Sequence, residues 1–373
     1  MKGILYYLLK NGNKDFNDLP FNEADSLILP QISYLFFERL IDDNNIYSLR
    51  DFLTIDNVEK LCESSMSYKK NKKLATILCN SNRFLNLKIS DIKHIFNVEE
   101  EIQYFSMTFH FPNFLYVAFR GTDLSIIGWK EDFNMLYKEY IPSQEYARIY
   151  LDEIYDKYKM PLCIGGHSKG GNLAFYSSMY AKISTINNII RIYNFDGPGL
   201  KDKKILSSVE YSRIQDKLIT YSSTYSTVAM LMYHVKDIEF LKCRSIGVLQ
   251  HDAYNWVIKD NNLRRVKNND VTSKIFDKAC DIYIENTNNV ERKRMVNLFF
   301  YITEDNPHAS LIEFKRHFFK KLRGMRMRKK RLSKDDLDFY NRMVKKIFKC
   351  IRMAFRTYKV VEQWKIVIFY NKL

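Results

Sequence analysis

The sequence has few of the residues that break up or cross-link a chain. Its 373 residues include 12 glycines and 7 prolines, and no Gly-, Ser- or Pro-rich tract marks a linker. The six cysteines are scattered without a Cys-x-x-Cys pair, which predicts reduced thiols and a cytoplasmic location. No apolar run approaches the ~18 residues that a transmembrane helix needs. The N-terminus lacks a small-residue cleavage site, so we expect no signal peptide.

Basic residues outnumber acidic ones, giving a net charge of +16, but one segment holds most of the excess. Residues 315–334 contain eleven Lys or Arg and no Asp or Glu, whereas the other 353 residues contain 48 basic and 43 acidic side chains. Since no nucleic-acid-binding motif accompanies this charge, we expect no nucleic-acid partner. Apolar residues at helical spacing in 314–322 favour peripheral contact with an anionic membrane through 315–334. A solvated helix that packs these aromatic residues on the core is the alternative.

The most informative stretch is Gly166-His167-Ser168-Lys169-Gly170, which has the form Gly-x-Ser-x-Gly. It follows the apolar residues 161–164 and precedes a helical pattern, so the serine lies at a predicted strand-to-helix turn. In such a nucleophile elbow, glycines let the strand and helix pass closely, and the serine hydroxyl is exposed at the top of the sheet. The N–H groups and positive dipole end of the helix face whatever the hydroxyl attacks. A chance match is the alternative, and the strand-to-helix context disfavours it.

Apolar patterns on both sides of this turn predict alternating strands and helices. Strands are predicted over residues 102–111, 114–119, 189–195 and 217–222. Helices are predicted over 129–140, 143–158 and most of 49–96. The strict alternation in 102–111 is typical of a strand with one buried face. Strands joined by helical crossovers form a mostly parallel sheet flanked by helices, so we predict an α/β fold over residues 1–270 and a basic, helical C-terminal region over residues 271–373.

Polar residues follow three of these strands at the position where catalytic groups gather in α/β sheets. Thr122 lies in a turn after the second strand, Ser168 follows the third, and Asp196 follows the fourth. The carboxyl ends of parallel strands meet at one edge, where ligands bind. Thr122 lies where α/β-hydrolases place an oxyanion donor, and it offers a backbone N–H and a hydroxyl.

A serine hydroxyl becomes a nucleophile at neutral pH when a histidine takes its proton. In α/β-hydrolases this histidine follows the nucleophile in the chain, which leaves four candidates. They are His234, His251, His308 and His317. We favour His251 because it follows a short apolar stretch and opens a loop; His234 is the second choice, and an ordinary surface histidine is the alternative for either.

The histidine in turn needs a carboxylate that fixes its tautomer. Residues 217–236 contain no carboxylate, so the strand after Asp196 supplies none. Asp196 is therefore the best candidate acid, with Asp237 and Asp252 as rivals. Because Asp196 precedes Gly-Pro-Gly, a purely structural role in a turn is the alternative.

These residues resemble a family of bacterial lipase-like proteins of undetermined function, which is similar to the class 3, fungal-type lipases. The resemblance covers most of the chain from residue 1 to about residue 259 and rests on five motifs. They are Phe21-Asn22-Glu23-Ala24-Asp25-Ser26, Phe119-Arg120-Gly121-Thr122-Asp123 with Trp129 and Asp132, Gly165-Gly166-His167-Ser168-Lys169-Gly170-Gly171-Asn172, Phe195-Asp196-Gly197-Pro198-Gly199, and His251-Asp252 with Trp256. The resemblance implies an α/β-hydrolase fold, with Ser168 as nucleophile, His251 as base, and Thr122 and the Lys169 N–H as oxyanion donors. Class 3 lipases carry their acid one strand later, where this chain reads Tyr221-Ser222-Ser223-Thr224-Tyr225-Ser226. Either Asp196 takes this role, or the triad is incomplete.

We therefore predict a serine hydrolase that cleaves a carboxylic ester, from a small molecule or a lipid, by acyl transfer through Ser168, His251 and Asp196. The displaced acid and the basic segment favour a different alternative. It is a catalytically silent hydrolase-fold module that binds anionic membranes or a protein partner. No metal-ligand spacing or phosphate-binding glycine loop is present, so we expect no cofactor and no metal. The sequence indicates no oligomeric state.

Overall fold

The computed structural model describes residues 3–41, 45–63, 65, 67–235, 237–267, 270–303, 306 and 318–370. A central sheet has eight strands, which lie side by side in the order in which they occur in the chain. They are β1 (Tyr47–Ser48), β2 (Lys88–Asn97), β3 (Ile102–His110), β4 (Leu115–Phe119), β5 (Leu162–His167), β6 (Ile189–Phe195), β7 (Leu218–Ser223) and β8 (Ile238–Leu241). A separate hairpin joins β9 (Ile258–Lys259) and β10 (Asn262–Leu263).

Strand direction changes in the middle of the sheet. Strands β1 to β4 pair antiparallel, and β4 to β8 pair parallel. In the parallel half, Phe119 pairs with Gly166, His167 with Phe195, and Phe195 with Tyr221. The carboxyl ends of β4, β5, β6 and β7 therefore lie at one edge. The prediction of an α/β protein with a mostly parallel sheet is confirmed.

Helices cover both faces of the sheet. In the first part of the chain they are α1 (Ile4–Asn11), α2 (Glu23–Ile32), α3 (Leu49–Phe52), α4 (Val58–Cys62), α5 (Tyr68–Leu78), α6 (Asn82–Leu85), α7 (Ile126–Asn134), α8 (Pro142–Tyr158), α9 (Lys169–Tyr180), α10 (Ile183–Asn187) and α11 (Val209–Ser212). After the sheet they are α12 (Val271–Glu285), α13 (Asn289–Thr303), α14 (Phe318–Arg331) and α15 (Lys334–Tyr370). No helix in this described part of the chain is both long and apolar enough to cross a membrane.

Strand β3 shows how the sheet becomes the middle layer. Phe105 and Phe109 pack with the N-terminal helices on one face, and Tyr104 packs with α8 and α9 on the other. The prediction of one buried face was wrong, because the polar side chains of this strand are buried too. Their hydroxyls are satisfied internally: the Tyr104 hydroxyl donates to Ser106 Oγ over 2.9 Å, and Thr108 Oγ1 lies 2.8 Å from the Tyr150 hydroxyl. Hydrogen-bonded hydroxyls make a polar strand face compatible with burial.

The prediction that residues 49–96 are mostly helical was wrong for residues 88–96, which belong to β2. This strand pairs with β3 on both sides of an irregularity between Ser90 and Lys93, where Asp91 has a φ of 53°. The bulge shifts the alternation of side chains by one position, so the apolar spacing no longer matches that of a regular strand. Pairing with a neighbouring strand decides the structure where local pattern is weak.

The helices after the sheet contact one another and α7 of the sheet domain. Ala279 and Ile282 of α12 pack with Cys350 and Ala354 of α15. Val296 and Phe300 of α13 pack with Ile126 at the start of α7. Residues 307–317 lie outside the described residues, and with them His308, His317, Phe314 and the beginning of the basic segment 315–334.

Candidate active site

Ser168 lies between the last residue of β5 and the first residue of α9. Its φ of 59° is a conformation that non-glycine residues rarely adopt, and its backbone N–H donates to Phe195 O over 2.9 Å. A Cβ at Gly166 would lie 2.1 Å from the Gly170 backbone, and one at Gly170 would lie 2.2 Å from Phe119 O. Only glycine permits these contacts, and they force the sharp turn. As a result the Ser168 side chain is partly exposed between buried neighbours.

Asp196 lies at the end of β6 and is completely buried. One carboxylate oxygen, Oδ1, accepts hydrogen bonds from Ser222 Oγ at 2.9 Å and from the Ser223 N–H at 3.2 Å. The other, Oδ2, lies 2.6 Å from His251 Nδ1. Ser222 and Ser223 at the end of β7 thus donate hydrogen bonds that fix the Asp196 carboxylate at the end of the neighbouring strand, β6.

The contact with Asp196 determines the tautomer of His251. A carboxylate only accepts hydrogen bonds, so His251 Nδ1 carries a proton and is the hydrogen-bond donor. Nε2 is then the nitrogen that can take a proton. His251 ends a short 3-10 turn, Gly247–His251, and its ring is partly exposed. The hydrogen bonds of the described residues do not include one from Ser168 Oγ to His251 Nε2. Catalytic hydrogen bonds are often long before substrate binds.

The rival acids point elsewhere. Asp252 Oδ1 accepts from the Tyr254 N–H at 3.0 Å, and its Oδ2 forms an ion pair with Lys70 Nζ at 2.5 Å. Asp237 is exposed and immediately precedes β8, so it lies at the opposite edge of the sheet from Ser168. Of the three candidate carboxylates, Asp196 is therefore the one in contact with the His251 ring.

His234 is placed differently from His251. Its Nε2 lies 3.0 Å from Asp277 Oδ1 of α12, and its Nδ1 lies 3.1 Å from Val235 O. Burial lowers the pKa of His234, but the hydrogen bond and the charge of Asp277 outweigh it and raise the pKa above its usual value. Both ring nitrogens face acceptors, so this histidine has no nitrogen available to take a proton from a serine.

His167 was not singled out by the sequence reasoning. Its side chain makes a hydrogen bond to the backbone of His251. Its Nε2 donates to His251 O over 2.8 Å, and the two rings lie 4.7 Å apart. The Tyr34 hydroxyl lies 3.3 Å from His167 Nδ1 and 3.2 Å from His167 O. Burial, followed by the nearby charge of His251, lowers the pKa of His167 to about 4, so its ring is neutral at physiological pH. Its position before the nucleophile was the signal that could have identified it.

Thr122 lies in the turn after β4, directly against the elbow. A Cβ at Gly121 would lie 2.5 Å from His167 O and 3.1 Å from Ser168 Cβ. The Thr122 hydroxyl donates to Asp132 Oδ2 on α7. Burial raises the pKa of Asp132 to about 7, although the Lys169 charge and the Thr122 hydroxyl lower it. The other oxygen of Asp132 is buried and has no partner among the described residues.

The side chain of Lys169 is completely buried, a feature that the motif alone did not predict. Its Nζ donates to Gln103 O at 2.6 Å, to Gln103 Oε1 at 2.8 Å and to Glu131 Oε2 at 2.8 Å. Glu131 also accepts from the N–H groups of Gln103 and Ser143, both at 3.1 Å. Every charge in this cluster is hydrogen-bonded, as burial requires. The cluster ties the first turn of α9 to β3 and α7, and so fixes where the Lys169 N–H lies relative to Thr122.

These groups form one surface at the carboxyl edge of the sheet. A partly exposed hydroxyl lies at a helix N-terminus, where free N–H groups favour negative charge, and an imidazole with a defined tautomer lies at the end of a neighbouring loop. Such a surface can accept a proton and stabilise an oxyanion. Within the described residues no group of three or more His, Cys, Asp or Glu side chains could hold a metal ion.

The fold and the site define an α/β protein that carries a serine, a histidine and an aspartate at the carboxyl edge of a mostly parallel sheet. The chain belongs to the Mbeg1-like family, whose sequence model matches residues 78–301, more than half of the chain. No curated protein sequence matches it. Among solved structures, the Rhizomucor miehei lipase propeptide complex is similar, with a TM-score of 0.34 and 16% identity over 52% of this chain and 70% of that chain. A likeness at that level carries no argument about function.

Proposed function

We propose that this chain is an α/β-hydrolase that cleaves carboxylic esters through Ser168, His251 and Asp196. The observation that carries the proposal is the 2.6 Å contact between His251 Nδ1 and the buried Asp196, at the edge of the sheet where Ser168 is partly exposed. A histidine held in this tautomer acts as a general base when the serine hydroxyl comes within hydrogen-bond distance of Nε2.

In the proposed reaction, His251 Nε2 takes the Ser168 proton as Oγ attacks the ester carbonyl carbon. The oxyanion that forms accepts hydrogen bonds from the backbone N–H groups of Thr122 and Lys169. The imidazolium then gives its proton to the departing alcohol, and water releases the acid by the same steps in reverse order. Because the Thr122 hydroxyl donates to Asp132, its only proton is already used, so the Thr122 backbone N–H is the donor we assign. Because the six cysteines are free thiols, we propose a cytoplasmic location for the protein.

The experiment is active-site labelling with a fluorophosphonate, combined with hydrolysis of p-nitrophenyl acetate. We expect the wild-type protein to be labelled and to hydrolyse the ester, and Ser168→Ala to lose both. The matched control is Ser184→Ala, which removes an exposed hydroxyl away from the site and should leave both unchanged. A wild-type protein that is folded but neither labelled nor active would contradict the proposal and favour a silent binding module.

A further inference from the structure

The loop that leads to His251 has an unusually apolar and exposed tip. Ile246 is 84% exposed, and Val248 and Leu249 are each 63% exposed. Gly247 between them has a φ of 57°, and a Cβ added there would meet nothing within 4 Å. Nowhere else in the described ranges do four consecutive residues expose three large aliphatic side chains to this extent. The tip, residues 246–249, therefore projects into solvent two residues before the histidine of the site.

The base of this loop is firmly attached. Gln250 Oε1 accepts from Thr224 Oγ1 at 2.8 Å and from the Tyr225 N–H at 3.1 Å. Gln250 O accepts from Trp256 Nε1 at 2.8 Å, and Leu249 O accepts from Asn255 Nδ2 at 2.8 Å. A tip held by such a base cannot fold back to bury its aliphatic side chains without breaking these bonds. Exposed aliphatic clusters of this kind mark contact surfaces.

We propose that the tip, residues 246–249, inserts into the apolar layer of a lipid surface and so places the candidate site against that surface. The insertion itself requires no catalysis. Insertion would also affect substrate choice, because esters within lipid assemblies would reach Ser168 in preference to dilute soluble esters. This consequence rests on the proposed function.

Three features favour a lipid surface over a protein partner. The three aliphatic side chains offer on the order of 300 Å² in total, far less than the roughly 800 Å² that each partner buries in a stable protein interface. The tip has no Trp, Tyr or Arg, the residues that dominate the binding energy of protein interfaces. The chain also carries a net charge of +16, most of it in residues 315–334, and this charge attracts the protein to anionic lipid. Insertion of a few apolar side chains combined with charge attraction is sufficient for reversible membrane binding.

The test is flotation of the full-length protein with vesicles of phosphatidylcholine and phosphatidylglycerol. The variant Ile246→Ser/Val248→Ser/Leu249→Ser should bind these vesicles more weakly than the wild type, by about tenfold or more. The matched control is Ile55→Ser/Val209→Ser/Val290→Ser, which removes three aliphatic side chains that are 63%, 62% and 77% exposed elsewhere. The control should bind as the wild type does. Equal binding by the loop variant and the wild type would overturn the proposal.

Three further measurements separate the remaining outcomes. Fluorophosphonate labelling and hydrolysis of soluble p-nitrophenyl acetate should be unchanged in the loop variant, while hydrolysis of a vesicle-embedded p-nitrophenyl ester falls. If the wild type binds lipid but fails to label, and the loop variant loses lipid binding, the proposed function is refuted and the docking surface stands. Analytical ultracentrifugation covers the case of a second copy: self-association that the loop variant abolishes, without lipid binding, would overturn the proposal. If the triple variant unfolds, the single variant Ile246→Ser repeats the flotation at the most exposed position.

Discussion

Two histidine–aspartate pairs lie among the described residues, and they differ in the properties that a general base needs. His251 contacts a buried carboxylate at 2.6 Å through Nδ1 alone, at the carboxyl edge of the sheet. His234 contacts a partly exposed carboxylate, Asp277, at 3.0 Å through Nε2, and its Nδ1 faces a carbonyl oxygen. In the first pair one nitrogen is left to accept a proton. In the second pair both nitrogens face acceptors, and the pKa of the ring is raised above its usual value.

The comparison shows that a contact between histidine and aspartate does not by itself make a base. Two features distinguish His251. Its carboxylate partner is itself fixed by Ser222 and Ser223, and its Nε2 has no competing acceptor among the residues that the structure describes. His234 instead connects the segment before β8 to α12, a structural role. The following predictions test this distinction, from the largest expected effect to the smallest.

The first prediction concerns the histidines themselves. His251→Ala should lower kcat/KM for p-nitrophenyl acetate by about 10³-fold or more, because the base is lost, whereas His234→Ala should change it by less than about twofold. Steady-state kinetics on both variants, with circular dichroism to verify folding, measures the contrast. A similar fall in kcat/KM in both variants would contradict the assignment of His251 as the base.

The second prediction exchanges the carboxylates for amides. In Asp196→Asn the new NH₂ group can donate to His251 Nδ1, which moves the ring proton to Nε2 and removes the accepting nitrogen, so we expect kcat to fall by about 10⁴-fold. Asp277→Asn is the matched change in the other pair and should leave kcat within about twofold. Full activity in Asp196→Asn would refute the assignment of the acid.

The third prediction is that the His234–Asp277 pair contributes to stability in a pH-dependent way. The folded pKa of His234 is raised above its usual value of 6.5, so the stabilisation is fully present below pH 6.5 and is lost as the pH rises through the folded pKa. Asp277→Asn should therefore lower Tm at pH 6, by the equivalent of at most about 1 kcal/mol, and have little effect at pH 9.

The control for this measurement is the double variant Asp277→Asn/His234→Asn, which should be no less stable at pH 6 than Asp277→Asn alone. Thermal denaturation followed by circular dichroism at both pH values is sufficient. A Tm difference that does not depend on pH would show that the pair acts through packing rather than through charge.

Sequence reasoning succeeded where chemistry follows directly from strand ends. Thr122, Ser168 and Asp196 each follow an apolar strand at a turn, and parallel strands bring such turns to one edge. The α/β fold was predicted on the same basis. The assignment of roles to these residues, and to His251 and the Lys169 N–H, stays a prediction.

What sequence reasoning missed depends on contacts between distant parts of the chain. The use of His167 Nε2 to hold His251 O, and the burial of the Lys169 ammonium against Gln103 and Glu131, arise only once the helices have packed. Lysine side chains are usually exposed, and no local pattern in the sequence indicates that the charge of Lys169 is buried. Strand β2 was missed because its bulge obscures the alternation that a strand should show.

The N-terminal residues are joined to the rest of the chain by ion pairs that cross the family boundary. Glu23 accepts from the Leu263 N–H at 2.6 Å and pairs with Arg265, and the buried Asp25 pairs with Arg83. The family match begins at residue 78 and includes Arg83 and Arg265 but neither carboxylate. An expression clone cut at that homology limit would leave the buried Arg83 guanidinium without its carboxylate and Arg265 with Glu239 as its remaining carboxylate. It would also expose the apolar side of the sheet against which α2 packs. In this chain, the segment that matches the family is therefore shorter than the segment that we expect to be needed for folded protein.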